Sequence, residues 1–340
     1  MTTKSLQNAV PLENASEICI EHLTKDYGQG KGVFDISLSV KRGEVFGFLG
    51  PNGAGKTTTI RNLLGFIRPD AGNCKIRGLD CFSDACRIQE FLGYLAGEIA
   101  FPDDFTGRKL LEFIADMKGM TDRSYMNELM ERFELNPDGR VKKMSKGMKQ
   151  KLGIIMAFMN HPSILILDEP TSGLDPLMQN RFVELILEEK KRGTTIFMSS
   201  HMFEEIERTC DRTAIIRAGS IVAVETMADF KSKRKKDYIL TLPDAEQAAA
   251  LPKDAFQIRN ICENKVTVSP REALPDFLRK LSSYPVVDLD VRTQTLEELF
   301  LHFYDRKDDD TRDSDAKADK RAPEQLEQTV NTNEEGGRVL

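Results

Sequence analysis

The segment GPNGAGKT, Gly50–Thr57, has the residue types and the spacing of a phosphate-binding loop. It fits GxxxxGK[ST] and lies between a short apolar strand pattern and a helical pattern, as that motif requires. Glycines let the backbone turn several N–H groups towards one anion, and the following helix N-terminus adds its positive end. We expect Lys56 to reach the β- and γ-phosphates of ATP and the Thr57 hydroxyl to ligate Mg²⁺. The predicted ATP contacts in this loop are Gly50, Pro51, Asn52, Gly53, Ala54, Gly55, Lys56, Thr57 and Thr58.

An acidic pair follows a second apolar run, SILILDEP. Four apolar residues before the acids are typical of a strand that is buried on both faces. A carboxylate at the end of such a strand, beside a phosphate-binding loop, can hold Mg²⁺, which suits Asp168. Glu169 would then face the γ-phosphate and accept a proton from the attacking water. The pair alone is weak evidence, but together with the loop it indicates nucleotide hydrolysis.

A second anion-binding segment, MSKGMKQKLG, starts at Met144 and precedes another apolar run. Ser145 and the N–H of Gly147 lie at the predicted start of a helix, which is a favourable place for a phosphate. Lys149 and Lys151 fit an ordinary solvated helix face. One chain of this size therefore carries two phosphate-seeking segments.

The order and spacing of these motifs resemble the ATP-binding-cassette (ABC) ATPases, the motor subunits of membrane transporters, over residues 17–230. In that resemblance GPNGAGKT is the P-loop and MSKGM is the signature, which is commonly LSGGQ. LILDEP is the segment with the acidic pair, and SGLD is the D-loop, which ends at Asp175. His201, after TTIFMSS, is the switch histidine that contacts the γ-phosphate. Tyr27 stands where the family stacks an aromatic ring on adenine.

The resemblance implies an explanation for the second phosphate segment. In this family two cassettes pair head to tail, and each ATP is clamped between one P-loop and the other subunit's signature. Ser145 and Gly147 would therefore act in trans, on ATP bound by a second cassette. The implied partners are that cassette, in a homodimer or a heterodimer, and a separate polytopic membrane permease.

Two departures from the family pattern concern the signature and the Q-loop. Lys146 replaces a glycine of LSGGQ, and Met148 replaces its glutamine. The Q-loop glutamine normally follows a Gly-Tyr pair by three residues, where this chain has Gly97. The adjacent Glu98 is the candidate replacement, positioning water or metal. Both variations resemble a subgroup of bacterial exporter cassettes with SKGMKQ signatures.

The elements that must position these motifs alternate between strand and helix patterns. This predicts an α/β P-loop NTPase core with a mostly parallel sheet, N-terminal antiparallel strands and an inserted helical subdomain. We predict a flexible lead (1–15), a cassette (16–230) with its helical subdomain at about 83–150, and a small accessory domain (231–304). The accessory domain has the order β-α-β-β-α-β of the ferredoxin-like arrangement, followed by a helix in TLEELFLHFYDR. Residues 305–340 are charged, poor in large apolar residues and predicted to be disordered.

Composition narrows the range of functions. The net charge of −6 gives no reason to expect nucleic acid as a partner. The six cysteines form no CxxC pair and no zinc-like spacing with histidine, which favours reduced thiols in a cytosolic protein. The N-terminus lacks a signal-peptide pattern, and the apolar runs are too short to span a bilayer. We therefore predict a cytoplasmic protein, peripheral on the cytoplasmic face of the cell membrane.

Two alternatives remain open at this point. A soluble cassette ATPase that acts on nucleic acid or ribosomes generally carries two cassettes or a long coiled-coil insertion, and this chain shows neither. A regulator that binds ATP without hydrolysing it would be expected to lack Glu169 or His201, and both are present. The cargo and the direction of transport are not encoded in these motifs.

Overall fold

The computed structural model describes residues 16–233, 236–252, 256–270, 273–294 and 298. Three predicted segments lie outside these ranges in whole or nearly so: the lead, the charged tail and the closing helix in TLEELFLHFYDR.

Strands and helices alternate along most of the described chain. The strands are β1 (Ser16–Asp26), β2 (Gly32–Lys41), β3 (Val45–Leu49), β4 (Ala71–Ile76), β5 (Leu79–Asp80), β6 (Leu92–Leu95), β7 (Ile164–Asp168), β8 (Thr195–Ser200), β9 (Arg212–Arg217), β10 (Ser220–Thr226), β11 (Lys236–Thr241), β12 (Gln257–Cys262), β13 (Lys265–Ser269) and β14 (Asp288–Thr293). The helices are α1 (Lys56–Leu63), α2 (Ala85–Gln89), α3 (Gly107–Met117), α4 (Ser124–Arg132), α5 (Lys146–Phe158), α6 (Pro176–Lys191), α7 (Phe203–Thr209), α8 (Met227–Lys233), α9 (Ala245–Ala249) and α10 (Leu274–Leu281).

The central sheet has the strand order β10-β9-β3-β8-β7-β6. Neighbours from β9 to β6 are parallel, and β10 joins β9 as an antiparallel hairpin. Strands β3, β7 and β8 are buried along their whole length, which explains their nearly continuous apolar sequences. Phe46 and Phe48 pack against Phe197 with ring centroids 5.9 and 5.4 Å apart. The predicted α/β core with a mostly parallel sheet is confirmed.

The parallel arrangement brings the motif-bearing loops to one edge of this sheet. Strands β3, β6, β7 and β8 end there, and the residues that follow them are Gly50, Ala96, Glu169 and His201. Ligand sites of open parallel sheets lie at this carboxyl edge. The fold therefore collects motifs that are far apart in the sequence.

A second, antiparallel sheet has the order β2-β1-β4-β5. The sequence predicts β1 and β2, and the structure confirms these N-terminal antiparallel strands. It does not predict β4 and β5. The signal in β4 is an alternation over only Asn73–Ile76, too short to stand out without its partner β1.

The segment predicted as mostly helical, residues 83–150, contains α2, α3, α4 and the start of α5. It also contains β6, so the prediction of helix across Leu92–Leu95 is wrong. Strand β6 pairs in parallel with β7, from Leu92 opposite Ile164 to Leu95 opposite Leu167. A four-residue apolar run cannot be distinguished from part of a buried helix by periodicity, and pairing with β7 decides it.

The elements from β11 to β14 form a third sheet with the order β12-β13-β11-β14 and antiparallel neighbours throughout. The order β-α-β-β-α-β and this pairing match the predicted ferredoxin-like arrangement. Its own core includes Leu240, Val266, Val268 and Phe277. Helix α8 crosses the boundary predicted at residue 230, and its Met227 and Phe230 are buried.

Candidate functional site

The loop between β3 and α1 folds tightly enough to present backbone N–H groups to an anion. Gly55 has φ 110°, and a Cβ there would lie 2.6 Å from Cγ1 of Val33. At Gly50, a Cβ would lie 2.4 Å from the carbonyl oxygen of Ile216. No side chain caps the N-terminus of α1. The first N–H groups of the helix therefore point into the loop, which is the geometry of a phosphate site.

Lys56 connects this loop to the acidic pair. Its side chain is only 6% exposed, and Nζ donates hydrogen bonds to the carbonyl oxygens of Gly50 (2.7 Å) and Pro51 (3.2 Å). Nζ also lies 3.0 Å from Oε1 of Glu169. A desolvated ammonium group thus stands between the phosphate loop and the predicted general base.

Asp168 and Thr57 form the pair of oxygen donors that the sequence assigns to Mg²⁺. The Thr57 hydroxyl donates to Oδ2 of Asp168 at 2.9 Å. Ser199, which sequence analysis did not single out, donates its hydroxyl to Oδ1 at 2.5 Å. Among the described residues, no group of three or more His, Cys, Asp or Glu side chains could bind a metal together. Mg²⁺ usually takes one or two protein oxygens and completes its shell with water and phosphate, so this pair fits it.

Glu169 contacts both Lys56 and His201. Its Oε2 lies 2.5 Å from Nδ1 of His201, and its backbone has φ 49°. Positive φ is uncommon for a residue other than glycine and is found at functional sites. The backbone N–H of Glu169 donates to the carbonyl oxygen of Ser199 at 3.2 Å. The structure thus brings Lys56 and His201 into contact with Glu169.

The signature packs against the D-loop of the same chain. Ser145 caps α5, accepting a hydrogen bond from the N–H of Met148 at 3.2 Å. Lys146 donates from Nζ to the Ser172 hydroxyl at 2.9 Å. A Cβ on Gly147 would lie 2.7 Å from the carbonyl oxygen of Gly173. A larger residue at position 147 would therefore push the signature and the D-loop apart.

Asp175, the last D-loop residue, has a structural contact in this chain. Its Oδ1 accepts from the N–H of Met178 at 3.0 Å and caps α6. Gln150 was missed by sequence analysis. Its side chain is buried, and Nε2 donates at 2.7 Å to the carbonyl oxygen of Pro170, which follows Glu169. The only sequence signal for this contact is a polar residue at the edge of an apolar run.

Tyr27 lies in the loop between β1 and β2 and is 54% exposed. Its N–H donates to the carbonyl oxygen of Lys31 at 2.8 Å. The start of β2, which follows this loop, reaches the P-loop, because Val33 is the residue that a side chain on Gly55 would strike. The stacking of the Tyr27 ring on adenine stays a prediction.

The loop after β6 approaches Asp168 through Gly97, while Glu98 is exposed. A Cβ on Gly97 would lie 3.2 Å from Cγ and from Oδ2 of Asp168. Tyr94, in β6, is also near this carboxylate. Burial, reinforced by the negative charge of Asp168, raises the pKa of Tyr94 to about 12. Gly97 is thus the residue of this loop that lies against the Asp168 carboxylate. The assignment of Glu98 as the Q-loop residue stays a prediction.

We expect Gly97→Ala to lower kcat for ATP hydrolysis by roughly three- to tenfold, because the loop or Asp168 must shift by a few tenths of an ångström. The Mg²⁺ concentration that gives half-maximal rate should rise as well, since the carboxylate is displaced. Steady-state ATPase assays over a Mg²⁺ series measure both quantities. Gly139→Ala is the matched control, because a Cβ there meets no atom within 4 Å. Wild-type kinetics in Gly97→Ala would show that this contact is unimportant.

Comparisons with known proteins agree with the motifs and the geometry. A family profile described as ABC transporter matches residues 33–172. The bacitracin transport ATP-binding protein BcrA of Bacillus licheniformis is 39% identical over 242 residues, covering 70% of this chain and 79% of that protein. The daunorubicin resistance ATP-binding protein DrrA3 of Streptomyces coeruleorubidus is 33% identical, covering 84% of this chain and 95% of that protein. A solved ATP-binding subunit of an ABC transporter is 30% identical and superposes with a TM-score of 0.59, covering 64% of this chain and 93% of the other.

Proposed function

Because this chain belongs to the family of ABC transporter ATP-binding proteins, we propose that it hydrolyses ATP as the energising subunit of an exporter. The observation that carries the proposal is the contact of Glu169 with both Lys56 and His201, beside the P-loop. These side chains come from three different segments of the chain. The fold brings them to one point at the carboxyl edge of the central sheet.

The residues of the P-loop bind and orient the phosphates. The N–H groups at the start of α1 point at the phosphate chain, and Lys56 supplies positive charge to it. With its aromatic ring on the neighbouring loop, Tyr27 stacks on the adenine. Nζ of Lys56 already lies at the P-loop, where it donates to the carbonyl oxygens of Gly50 and Pro51.

Glu169 acts as the general base on the attacking water. His201 fixes the orientation of its carboxylate through the 2.5 Å contact with Oε2 and then contacts the γ-phosphate. The hydrogen bond from the Glu169 N–H to the Ser199 carbonyl sets the backbone from which the carboxylate projects. The catalytic residues are therefore Glu169 and His201.

Thr57 and Asp168 would hold Mg²⁺. The ion neutralises part of the negative charge of the phosphates when it is bound. Ser199 holds the second oxygen of Asp168, so that Oδ2 is directed at Thr57. This arrangement orients the carboxylate without using the oxygen that faces the P-loop.

The signature completes the ATP site of a second cassette. Ser145 and Gly147 lie at the N-terminus of α5, which is thirteen residues long and carries no acidic residue in its first turn. Such a helix start favours an anion. Lys146 and Gly147 contact the D-loop of their own chain, so that the signature and the D-loop present one surface to the partner.

The remaining partner is a separate membrane permease. Within the described ranges, no helix combines the length and the apolar character needed to cross a bilayer. We place the chain on the cytoplasmic face of the membrane as a peripheral subunit, with the cargo selected by the permease. The lead (1–15), the cassette (16–230), the accessory domain (231–304) and the charged tail (305–340) are the proposed divisions, with α8 at the cassette boundary.

Affinity purification of the tagged chain from detergent-extracted native membranes tests the transport function. We expect a polytopic membrane protein to co-purify with it, and vesicles holding both proteins to show ATP-dependent transport that Lys56→Ala abolishes. A whole-cell lysate, fractionated on a sucrose gradient, tests the alternative of a soluble ATPase that acts on ribosomes. Recovery of the chain with ribosomes, without any polytopic protein, would contradict a transport role.

A further inference from the structure

Three consecutive residues at the end of β8 each contact a different carboxyl group. The Ser199 hydroxyl donates to Asp168, and His201 contacts Glu169. The residue between them, Ser200, donates its hydroxyl to Oε2 of Glu205 at 2.7 Å. The first two carboxyl groups belong to the proposed ATP site, whereas Glu205 has no assigned role.

Glu205 is a buried acid on α7. It is 5% exposed, and no ion pair to it is found in the described part of the chain. Burial raises the pKa of this carboxyl to about 7, although the hydroxyls of Ser200 and Thr171 lower it, and the charge of Glu169 raises it further. Burying an unpaired acid is costly, and a buried charge or a buried proton donor of this kind is enriched at functional sites.

The contacts of Ser200 show what Glu205 can do. The oxygen of the Ser200 hydroxyl also accepts a hydrogen bond from the N–H of Met202 at 2.9 Å. The hydrogen bond between Met202 and Ser200 therefore spans His201, the one residue between them. Because Glu205 takes the hydroxyl hydrogen, the lone pairs of the Ser200 oxygen remain free for the N–H of Met202. The turn that carries His201 is thus held in place by the Glu205 side chain of α7, through Ser200.

We propose that Glu205 is a positioning residue for hydrolysis, anchoring the Ser200–Met202 turn and thereby holding His201 on Glu169. This inference rests on the proposed function, since it gives meaning to the Glu169–His201 contact. Glu205 touches neither substrate nor metal in this account. Glu205 also lies next to Thr171, in the segment that follows Glu169. It therefore connects the end of β7, which carries Glu169, with the end of β8, which carries His201.

The test compares Glu205→Ala, Glu205→Gln and Ser200→Ala in the full-length chain. We expect Glu205→Ala and Ser200→Ala each to lower kcat for ATP on the order of tenfold with KM changed less than about twofold, because orientation is lost and binding is not. Glu205→Gln should keep most of the activity, since its amide oxygen still accepts from Ser200. Glu204→Gln, at an exposed position on the same helix turn, is the matched control and should behave as wild type.

A second background shows whether Glu205 acts through His201. In single-turnover assays, Glu205→Ala should lower the hydrolysis rate by a much smaller factor in a His201→Ala background than in the wild-type chain. The reason is that His201, the residue that Glu205 positions, is then absent. A full tenfold cost in both backgrounds would overturn the inference, as would a lowered Tm in Glu205→Ala with unchanged kcat. If His201→Ala alone left kcat unchanged, the proposed role of His201 would fail and this inference with it. If His201→Ala alone is slow and the effects of Glu205→Ala and His201→Ala on kcat simply multiply, only the role of Glu205 is contradicted.

Discussion

Glu169→Gln should reduce ATP turnover by roughly 100-fold or more while ATP affinity stays within a few-fold of wild type. The carboxamide keeps the shape of the side chain and can still contact His201, which lies 2.5 Å from Oε2 in the wild-type chain. It cannot take a proton from water at neutral pH. ATP binding depends on the P-loop and on Lys56, whose hydrogen bonds to Gly50 and Pro51 do not involve Glu169.

The measurement combines ATPase assays with equilibrium binding of ATP. The ATP-bound dimer should also live longer in Glu169→Gln, since hydrolysis is what ends it. Glu204→Gln controls for the loss of one negative charge near the site, because this residue is exposed on α7. If Glu169→Gln turned over ATP at close to the wild-type rate, the general base would have to be another group.

The sequence predicts the parts of the site whose residues follow apolar strands. Asp168, Glu169 and His201 each come at or just after the end of a buried parallel strand, and the P-loop follows another. Parallel strands must end at one edge, so the meeting of these residues follows from the strand pattern. In the structure Glu169 contacts both Lys56 and His201. The roles assigned to them stay predictions until the variants are measured.

The parts that sequence analysis missed depend on long-range partners. Gln150, Ser199 and Glu205 are buried polar residues that are hydrogen-bonded to residues in or beside the site. Ser199 is separated by 31 positions from Asp168, and Gln150 by 20 from Pro170. A local pattern shows a polar residue within an apolar segment, but it does not show which group satisfies it. Buried polar groups need such partners, so these residues become visible as parts of the site only in three dimensions.

Sequence periodicity predicts the strands of the accessory domain but misses β6, because it depends on a local pattern of apolar and polar residues. The accessory domain alternates apolar and polar residues over strands such as β11 and β13, and its order was predicted without the cassette. Strand β6 is four residues long and lies within a region of helical patterns. Its state is decided by pairing with β7, which a window of a few residues does not contain. Short strands whose pairing partners lie far away in the sequence are therefore the elements that sequence periodicity misses.

Lys56→Ala and Ser145→Arg should each leave almost no ATPase activity. Lys56→Ala removes the charge that faces both the P-loop and Glu169. Ser145→Arg removes the hydroxyl that caps α5 and places bulk and charge at the helix start. In a symmetric dimer each ATP site then carries one defect, whichever chain supplies it. Lys149→Ala, which changes a lysine on the same helix without a proposed role, should remain active and serves as the control.

The central claim is that the signature of one chain completes the ATP site of another, and mixing these two inactive variants tests it most directly. In a mixed dimer one site collects both defects and the other site is intact. Random pairing makes about half of the dimers mixed, so activity should recover to roughly a quarter of wild type. Labelled subunits establish that exchange has occurred, and reconstitution with the permease lets the dimer be assayed in complex with its transport partner. Recovery to about a quarter is the result that a composite site predicts, whereas no recovery after demonstrated exchange would contradict it.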